Sequence, residues 1–143
     1  MAITQAMATS FKVQLLNGQQ NFSSNTFKLA LYTSSATINE NTTAYSATNE
    51  VPSTGNYSAG GNTLTVSVTP TNSGNVAYIS FANTSWANAT ITAAGALIYN
   101  TSQSNAAVCV LSFGGDKTST NGTFAVNFPT ADASNAIIRL TAS

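Results

Sequence analysis

The feature that most constrains the fold is an alternation of apolar and polar residues that recurs through most of the chain after Thr26. Residues 63–69 show it without a fault, with Leu64, Val66 and Val68 on one side and hydroxyl side chains on the other. A period of two places the apolar side chains on one face of a β-strand, whereas a helix needs a period near 3.6. The alternation therefore predicts strands that each turn one face towards a core.

About seven strands follow from this pattern, separated by turns rich in Gly, Asn and Ser. They are predicted near residues 27–31, 63–69, 76–82, 90–99, 106–113, 124–128 and 135–141. A turn at 72–75 joins two of them as a hairpin, and residues 114–122 are interpreted as a long hairpin loop. Short strands at close spacing predict a mainly β fold, a single antiparallel β-sandwich, Ig-like or jelly-roll-like, that spans residues 1–143.

One short N-terminal α-helix is predicted at about residues 5–17. Apolar side chains recur there every four positions, including Phe11 and Leu15, and Gly18 supplies a stop signal. A helix of this length is not stable alone in water. Its apolar face, with Phe11, must therefore dock on the rest of the domain or on a neighbouring subunit.

The longest irregular segment covers about residues 33–62. A loop of that length in a compact domain is usually functional or bound to a partner, although a short strand near 44–50 is possible. Tyrosine is enriched at protein–protein contacts, so Tyr45 and Tyr57 in this segment are interface candidates.

Trp86 lies between two predicted strands and has two interpretations. Buried, it plugs one end of the sandwich, which its small and apolar neighbours favour; exposed, it could stack on a sugar or contact a partner. The candidate interface residues are Tyr45, Tyr57, Phe11 and Trp86.

The composition argues against catalysis and against nucleic-acid binding. The chain has four basic and four acidic residues, a formal net charge of zero and no histidine. It therefore has no basic face that could bind phosphates. Without histidine it can form no His-based catalytic triad, and it lacks the commonest metal ligand. We expect no enzyme activity, no cofactor, no metal and no small-molecule substrate.

The single cysteine and the N-terminal sequence indicate the cellular compartment in which the protein assembles. Cys109 alternates with apolar neighbours, so we interpret it as a small buried hydrophobe. No signal peptide and no transmembrane segment is visible, so we expect no membrane association. The absence of an internal disulfide fits assembly in a reducing cytoplasm.

Several specific strings, in order, resemble a family of small virion-associated structural proteins of tailed bacteriophages and prophages. They are TSFKVQLLNG at 9–18 followed by Phe22, FKLALYTSSAT at 27–37, TAY at 43–45, TNEV at 48–51, Gly55, Tyr57, AGG at 59–61, GALIYN at 95–100, FGGDK at 113–117 and AIIR at 136–139. The resemblance covers nearly the whole chain.

The resemblance implies a particle protein, and the size and fold favour a capsid decoration, or cement, protein. Such proteins commonly sit on the head lattice as trimers and strengthen the joints between major capsid subunits. The expected partners are then the major capsid protein and copies of the chain itself, in a virion assembled in the host bacterial cytoplasm. Two alternatives remain: a tail, neck or fibre component, or a module that binds a host-surface carbohydrate or protein through exposed aromatic residues. The resemblance implies no catalytic residue.

Overall fold

The computed structural model describes residues 2–141, which form strands of very different lengths and one short α-helix. In chain order the elements are β1 (Ala6–Met7), α1 (Thr9–Leu16), β2 (Phe27–Tyr32), β3 (Asn62–Leu64), β4 (Val66–Ser73), β5 (Val76–Phe81), β6 (Thr84–Asn100), a 3₁₀ turn (Thr101–Gln103), β7 (Ala106–Val126) and β8 (Ile138–Leu140).

The strands form two antiparallel sheets that share a hydrophobic core. The larger sheet has the order β1-β7-β6-β2-β3, and the smaller has the order β4-β5-β8. Phe22, Phe27 and Phe81 join them: the ring of Phe22 stacks on Phe27 with 4.7 Å between centroids and lies 6.1 Å from Phe81. This mainly β, sandwich-like arrangement with one short helix confirms the predicted fold class.

The β6–β7 hairpin is the longest feature of the larger sheet. Its ladder runs from Asn100 opposite Ala106, beside the turn, to Thr84 opposite Val126. Residues 93–100 are all buried, because the core between the sheets covers one face and residues 33–61 cover the other. The prediction that only alternate residues of this strand point inward was therefore too narrow.

The stretch 114–122, predicted as a hairpin loop, lies within β7 instead, and that prediction was wrong. After residues 113–116 bulge out of the ladder, pairing with β6 resumes where Lys117 lies opposite Ala93. A β-ladder uses backbone groups, so Gly, Ser and Thr residues can continue it despite their turn-like composition. Gly114, with φ of 77°, accommodates the bulge.

The helix begins at Thr9, not near residue 5 as predicted. Ala6 and Met7 pair with β7, and the N–H of Ala8 donates to the Val108 carbonyl at 2.9 Å. The sheet thus uses the backbone groups that an earlier helical turn would need. The predicted end is confirmed, since α1 stops at Leu16, before the stop signal.

The alternating run 63–69 is divided between the two sheets. Leu64 ends β3 in the larger sheet, and Val66 begins β4 in the smaller one. Alternation continues across the division because the inner faces of both sheets point into the same core. The predicted hairpin after this run is confirmed, with Ser73 opposite Val76 at its end.

Residues 33–61, here called the β2–β3 segment, contain no regular strand, which confirms the predicted irregularity. The possible strand near 44–50 is reduced to single bridges, from Ala44 to Ala106 and from Glu50 to Tyr32. At the end of the segment Gly61 has φ of 74°, and an added Cβ would overlap the carbonyl of Leu29. Only glycine therefore lets the chain enter β3 at this point.

Candidate protein interface

Three of the four predicted interface residues lie in the core. Phe11 is fully buried, Tyr57 is 1 % exposed and Trp86 is 4 % exposed. Their side chains are thus not accessible to a partner in the folded chain, because each fills space between elements of the domain itself. Tyr45 is half-buried, and its ring stacks on Tyr99 with 4.6 Å between centroids.

Trp86 has the buried role that the sequence favoured. Its ring lies 5.5 Å from that of Tyr57 and 6.4 Å from that of Phe124, between centroids. The indole therefore closes one end of the core between β6, β7 and the β2–β3 segment. It offers no exposed platform for a sugar.

A buried carboxylate, Glu50, organises the β2–β3 segment. Its Oε1 accepts hydrogen bonds from the Tyr57 hydroxyl at 2.7 Å and from the Gly60 N–H at 2.6 Å. Its Oε2 accepts from the Tyr45 hydroxyl at 2.6 Å. Hydrogen bonds to a charged acceptor are short and strong, so this group joins three points of the segment. With its oxygens occupied, Glu50 fits a structural anchor and not a catalytic base.

Tyrosine hydroxyls extend the same cluster to the sheet. The Tyr57 hydroxyl accepts from the N–H of Leu31 in β2 at 2.9 Å. Tyr32 donates to the Ser46 carbonyl at 2.6 Å, and Tyr99 donates to the Gly60 carbonyl at 2.7 Å. The segment is therefore fastened to β2 and β6 by side chains, and it also forms isolated bridges to β2 at Tyr32 and to β7 at Ala106.

Burial keeps these tyrosines neutral far above physiological pH. Desolvation, with the nearby charge of Glu50, raises the pKa of Tyr99 to about 12. Desolvation first, together with the same carboxylate, raises the pKa values of Tyr32, Tyr45 and Tyr57 further. Each hydroxyl thus stays a hydrogen-bond donor over the whole neutral range.

An apolar groove lies between α1 and β8. We call it the α1–β8 groove; it is lined by Met7, Lys12, Leu15, Leu16, Arg139, Leu140 and Thr141. Leu16 is 90 % exposed and Leu140 is 52 % exposed. A second apolar hollow, which shares Leu15 and Leu140 with the groove, continues it towards Ile79 and Tyr78 of β5. Large exposed leucines that meet in one concave surface are typical of a protein contact.

One sheet edge opens onto this region. β1 is flanked by the β2–β3 segment, because the N–H groups of Thr4 and Thr9 donate to the carbonyls of Ile38 and Glu40. β8, in contrast, is an edge strand of the smaller sheet, and no described strand pairs with its outer side. A hollow of about 250 Å³ lies between Arg139 of this strand and the face of β1 and β7. Unpaired strand edges are templates for pairing with another chain.

The charge of the groove is positive. Lys12 and Arg139 line it, and across residues 2–141 no carboxylate lines the groove or the two hollows beside it. The charge of Arg139 contributes to lowering the pKa of Asp132, but that carboxylate is held mainly by hydrogen bonds from Asn135 and the N–H of Ser134. Two of the four basic residues of the chain thus border one apolar surface.

Groups with catalytic or metal-binding potential are sparse. Cys109 is buried as predicted, and desolvation raises the pKa of its thiol to about 12, which makes it a poor nucleophile. Among residues 2–141 no three His, Cys, Asp or Glu side chains are grouped so that they could hold a metal ion. The same residues include no helix with the length and apolar character needed to cross a bilayer.

The sequence did not reveal the groove or the Glu50 cluster. Leu16 belongs to the periodic pattern that predicted α1, and nothing in that pattern separates it from the buried Phe11. Leu140 is two residues from Ile138, which is buried, so strand alternation puts both on one face and gives no signal for the exposure of Leu140. Glu50 comes just before Val51 in a segment without periodicity, so its burial could not be inferred.

Comparison with known proteins adds no relative. No protein-family model, no curated protein and no solved structure matches the chain.

Proposed function

We propose that the protein is a virion structural protein of a tailed bacteriophage and acts as a capsid decoration protein. In this role it binds the major capsid protein and copies of itself, as a trimer, and reinforces the joints of the head lattice. It is made in the bacterial cytoplasm, where it joins the assembling particle. The resemblance of its sequence strings to virion-associated proteins supports the particle assignment.

The observation that carries a binding role is the α1–β8 groove. Leu16, 90 % exposed, and Leu140, 52 % exposed, both line it beside the open edge of β8. A fully exposed leucine gains about 1.5–3 kcal/mol when a partner covers it. A surface of this kind gains from being covered in an assembly.

Low charge is consistent with the same role. Four basic and four acidic residues leave few groups that would have to be desolvated when surfaces pair closely. The alternative of a sugar-binding module has less support, because Trp86 and Tyr57, the aromatic residues it would need, are buried.

Copy number in purified virions tests the proposal. Quantitative mass spectrometry, with the major capsid protein as internal standard, should give a ratio close to one copy per capsid subunit. A ratio of a few per cent would assign the protein to the tail, neck or a vertex. Absence from the particle would refute the structural role altogether, and light scattering of the purified protein tests the trimer.

A further inference from the structure

The smaller sheet ends in an open edge beside the α1–β8 groove. Within residues 2–141 β8 closes the order of the smaller sheet, and no described strand pairs with its outer side. Met7 and Arg139 line both the groove and the hollow between β8 and the face of β1 and β7. Groove and hollow are thus one continuous surface along the edge of β8.

A strand placed there would find both kinds of contact that strand addition uses. Its backbone would pair with the free edge of β8, and alternate side chains would enter the apolar groove. Leu15, Leu16 and Leu140 supply the apolar contacts. Because β8 has three residues, backbone pairing would be short, and the leucines would carry much of the affinity.

Charge selects the chemistry of the added segment. Lys12 and Arg139 border the groove, and no carboxylate of the described chain lines it. In a segment that alternates apolar and acidic residues, the apolar side chains would enter the groove and the acidic side chains would lie near the two cations. Complementary charges favour such a partner and disfavour a basic one.

We propose that the α1–β8 groove binds an extended segment of another protein, rich in apolar and acidic residues, which adds as a strand at the β8 edge. The inference rests on the proposed function, in which that other protein belongs to the particle. It specifies the chemistry of the contact: a short β-strand with acidic side chains at the rim and apolar side chains beneath.

A second copy of this chain fits the groove less well. Of its four carboxylates, Glu50 is buried and Asp132 is held by Asn135. Glu40 is exposed, but its carbonyl accepts from the Thr9 N–H, so its backbone is fixed beside the start of α1 and is not free to add as a strand elsewhere. Asp116 is exposed in the bulge of β7, but Lys117 follows it directly and offsets its charge. Nucleic acid also fits poorly, because two cations around leucines do not match a phosphate backbone.

Peptide binding to the full-length protein tests the proposal. The probe is a fluorescein-labelled peptide of sequence Thr-Val-Asp-Val-Glu-Val-Thr, followed by fluorescence anisotropy at low and high salt. The control peptide has Lys in place of Asp and Glu. We expect the acidic peptide to bind, the basic peptide to bind at least about tenfold more weakly, and added salt to reduce the difference.

Matched variants assign the binding to the groove. Leu16→Ser and Lys12→Glu change exposed groove residues and should each weaken binding by about tenfold. Val13→Ser, on the same helix but outside the groove lining, and Lys117→Glu, on β7, should leave it within about twofold. Unchanged thermal midpoints would show that all four variants fold.

Three results would overturn the proposal. The first is equal binding of the acidic and basic peptides. The second is that Leu16→Ser and Lys12→Glu behave like their controls. The third is displacement of the peptide by an oligothymidylate that binds more weakly to Lys12→Glu but equally well to Leu16→Ser. This result would indicate a phosphate-binding surface.

Virion incorporation separates this inference from the proposed function. If the protein is absent from virions but the groove variants lose the acidic peptide, the function fails and the groove assignment holds. The opposite result is that the wild-type protein binds no acidic peptide, while the Lys12→Glu and Leu16→Ser proteins are incorporated into virions at the normal copy number. In that case the inference fails and the structural role holds.

Discussion

Removing one hydroxyl group from Tyr57 should cost a large part of the stability of the fold. This hydroxyl accepts from the buried N–H of Leu31 at 2.9 Å and donates to Glu50 at 2.7 Å. Tyr57→Phe leaves the N–H unpaired in the interior and takes one of three donors from a buried carboxylate. An unsatisfied buried amide costs about 1–3 kcal/mol and a lost charge-assisted bond about 1.5–3 kcal/mol, so we expect a decrease of about 3 kcal/mol in the free energy of unfolding. A domain has about 5–15 kcal/mol in total.

Urea denaturation followed by tryptophan fluorescence measures this loss, because Trp86 lies beside Tyr57 in the core. Tyr78→Phe is the matched control: Tyr78 is half-buried on β5, and its hydroxyl has no hydrogen-bond partner among residues 2–141. The midpoint should move for Tyr57→Phe with little change in the slope. If the two variants agree within about 0.5 kcal/mol, the Glu50 cluster does not hold the β2–β3 segment as we argue.

Three further predictions follow from the interior of the molecule. Folding raises the pKa of four tyrosines above the ordinary value of 10.0, and it raises that of Tyr99 to about 12. These groups therefore stabilise the fold fully below pH 10, and their contribution to the free energy of unfolding is lost as the pH rises through 12. In a Tyr78→Phe protein, where only these four tyrosines remain, tyrosinate absorbance should therefore appear together with loss of the β circular dichroism signal, and ionisation of these groups in a folded chain would contradict this. Gly61→Ala should cost about 3 kcal/mol by overlap with the Leu29 carbonyl. Gly18→Ala, also at positive φ but with open space around it, should cost about 1 kcal/mol in the same melts, and equal costs would refute the close approach. Cys109 should resist a disulfide reagent in the native protein and react once urea unfolds it, whereas rapid labelling under native conditions would place the thiol at the surface.

Patterns among neighbouring residues correctly predicted the β4–β5 hairpin and the end of α1. The alternation around Leu64 and Val66, followed by a Gly-containing turn, was sufficient for the β4–β5 hairpin. The same reasoning gave the end of α1 from Gly18. It placed the start of α1 too early, because Ala6 and Met7 have helical spacing but are used by the edge of the larger sheet.

Tertiary contacts decided the rest. Residues 114–122 have the composition of a loop, yet β6 pairs with them and makes them part of a strand. Glu50 and Tyr99 are far apart in sequence, and only the path of the β2–β3 segment brings the carboxylate and the ring into one cluster. Tyr57 was predicted as an interface residue because tyrosine is enriched at protein contacts and this one lies in the irregular segment. It is buried instead, and its hydroxyl accepts from the N–H of Leu31 in β2.

The shape of the β6–β7 hairpin also bears on how the chain folds. Its two strands are neighbours in sequence, joined by residues 101–105, so the entropy lost on closing the loop between them is small. β2 and β3, by contrast, meet only after the whole β2–β3 segment has been ordered. We therefore expect the hairpin to form early and the tyrosine contacts to form late, after the folding barrier has been crossed. Mutations at Tyr57 should then mainly accelerate unfolding, so that the residence time of the native state, and not the speed of reaching it, depends on the Glu50 cluster.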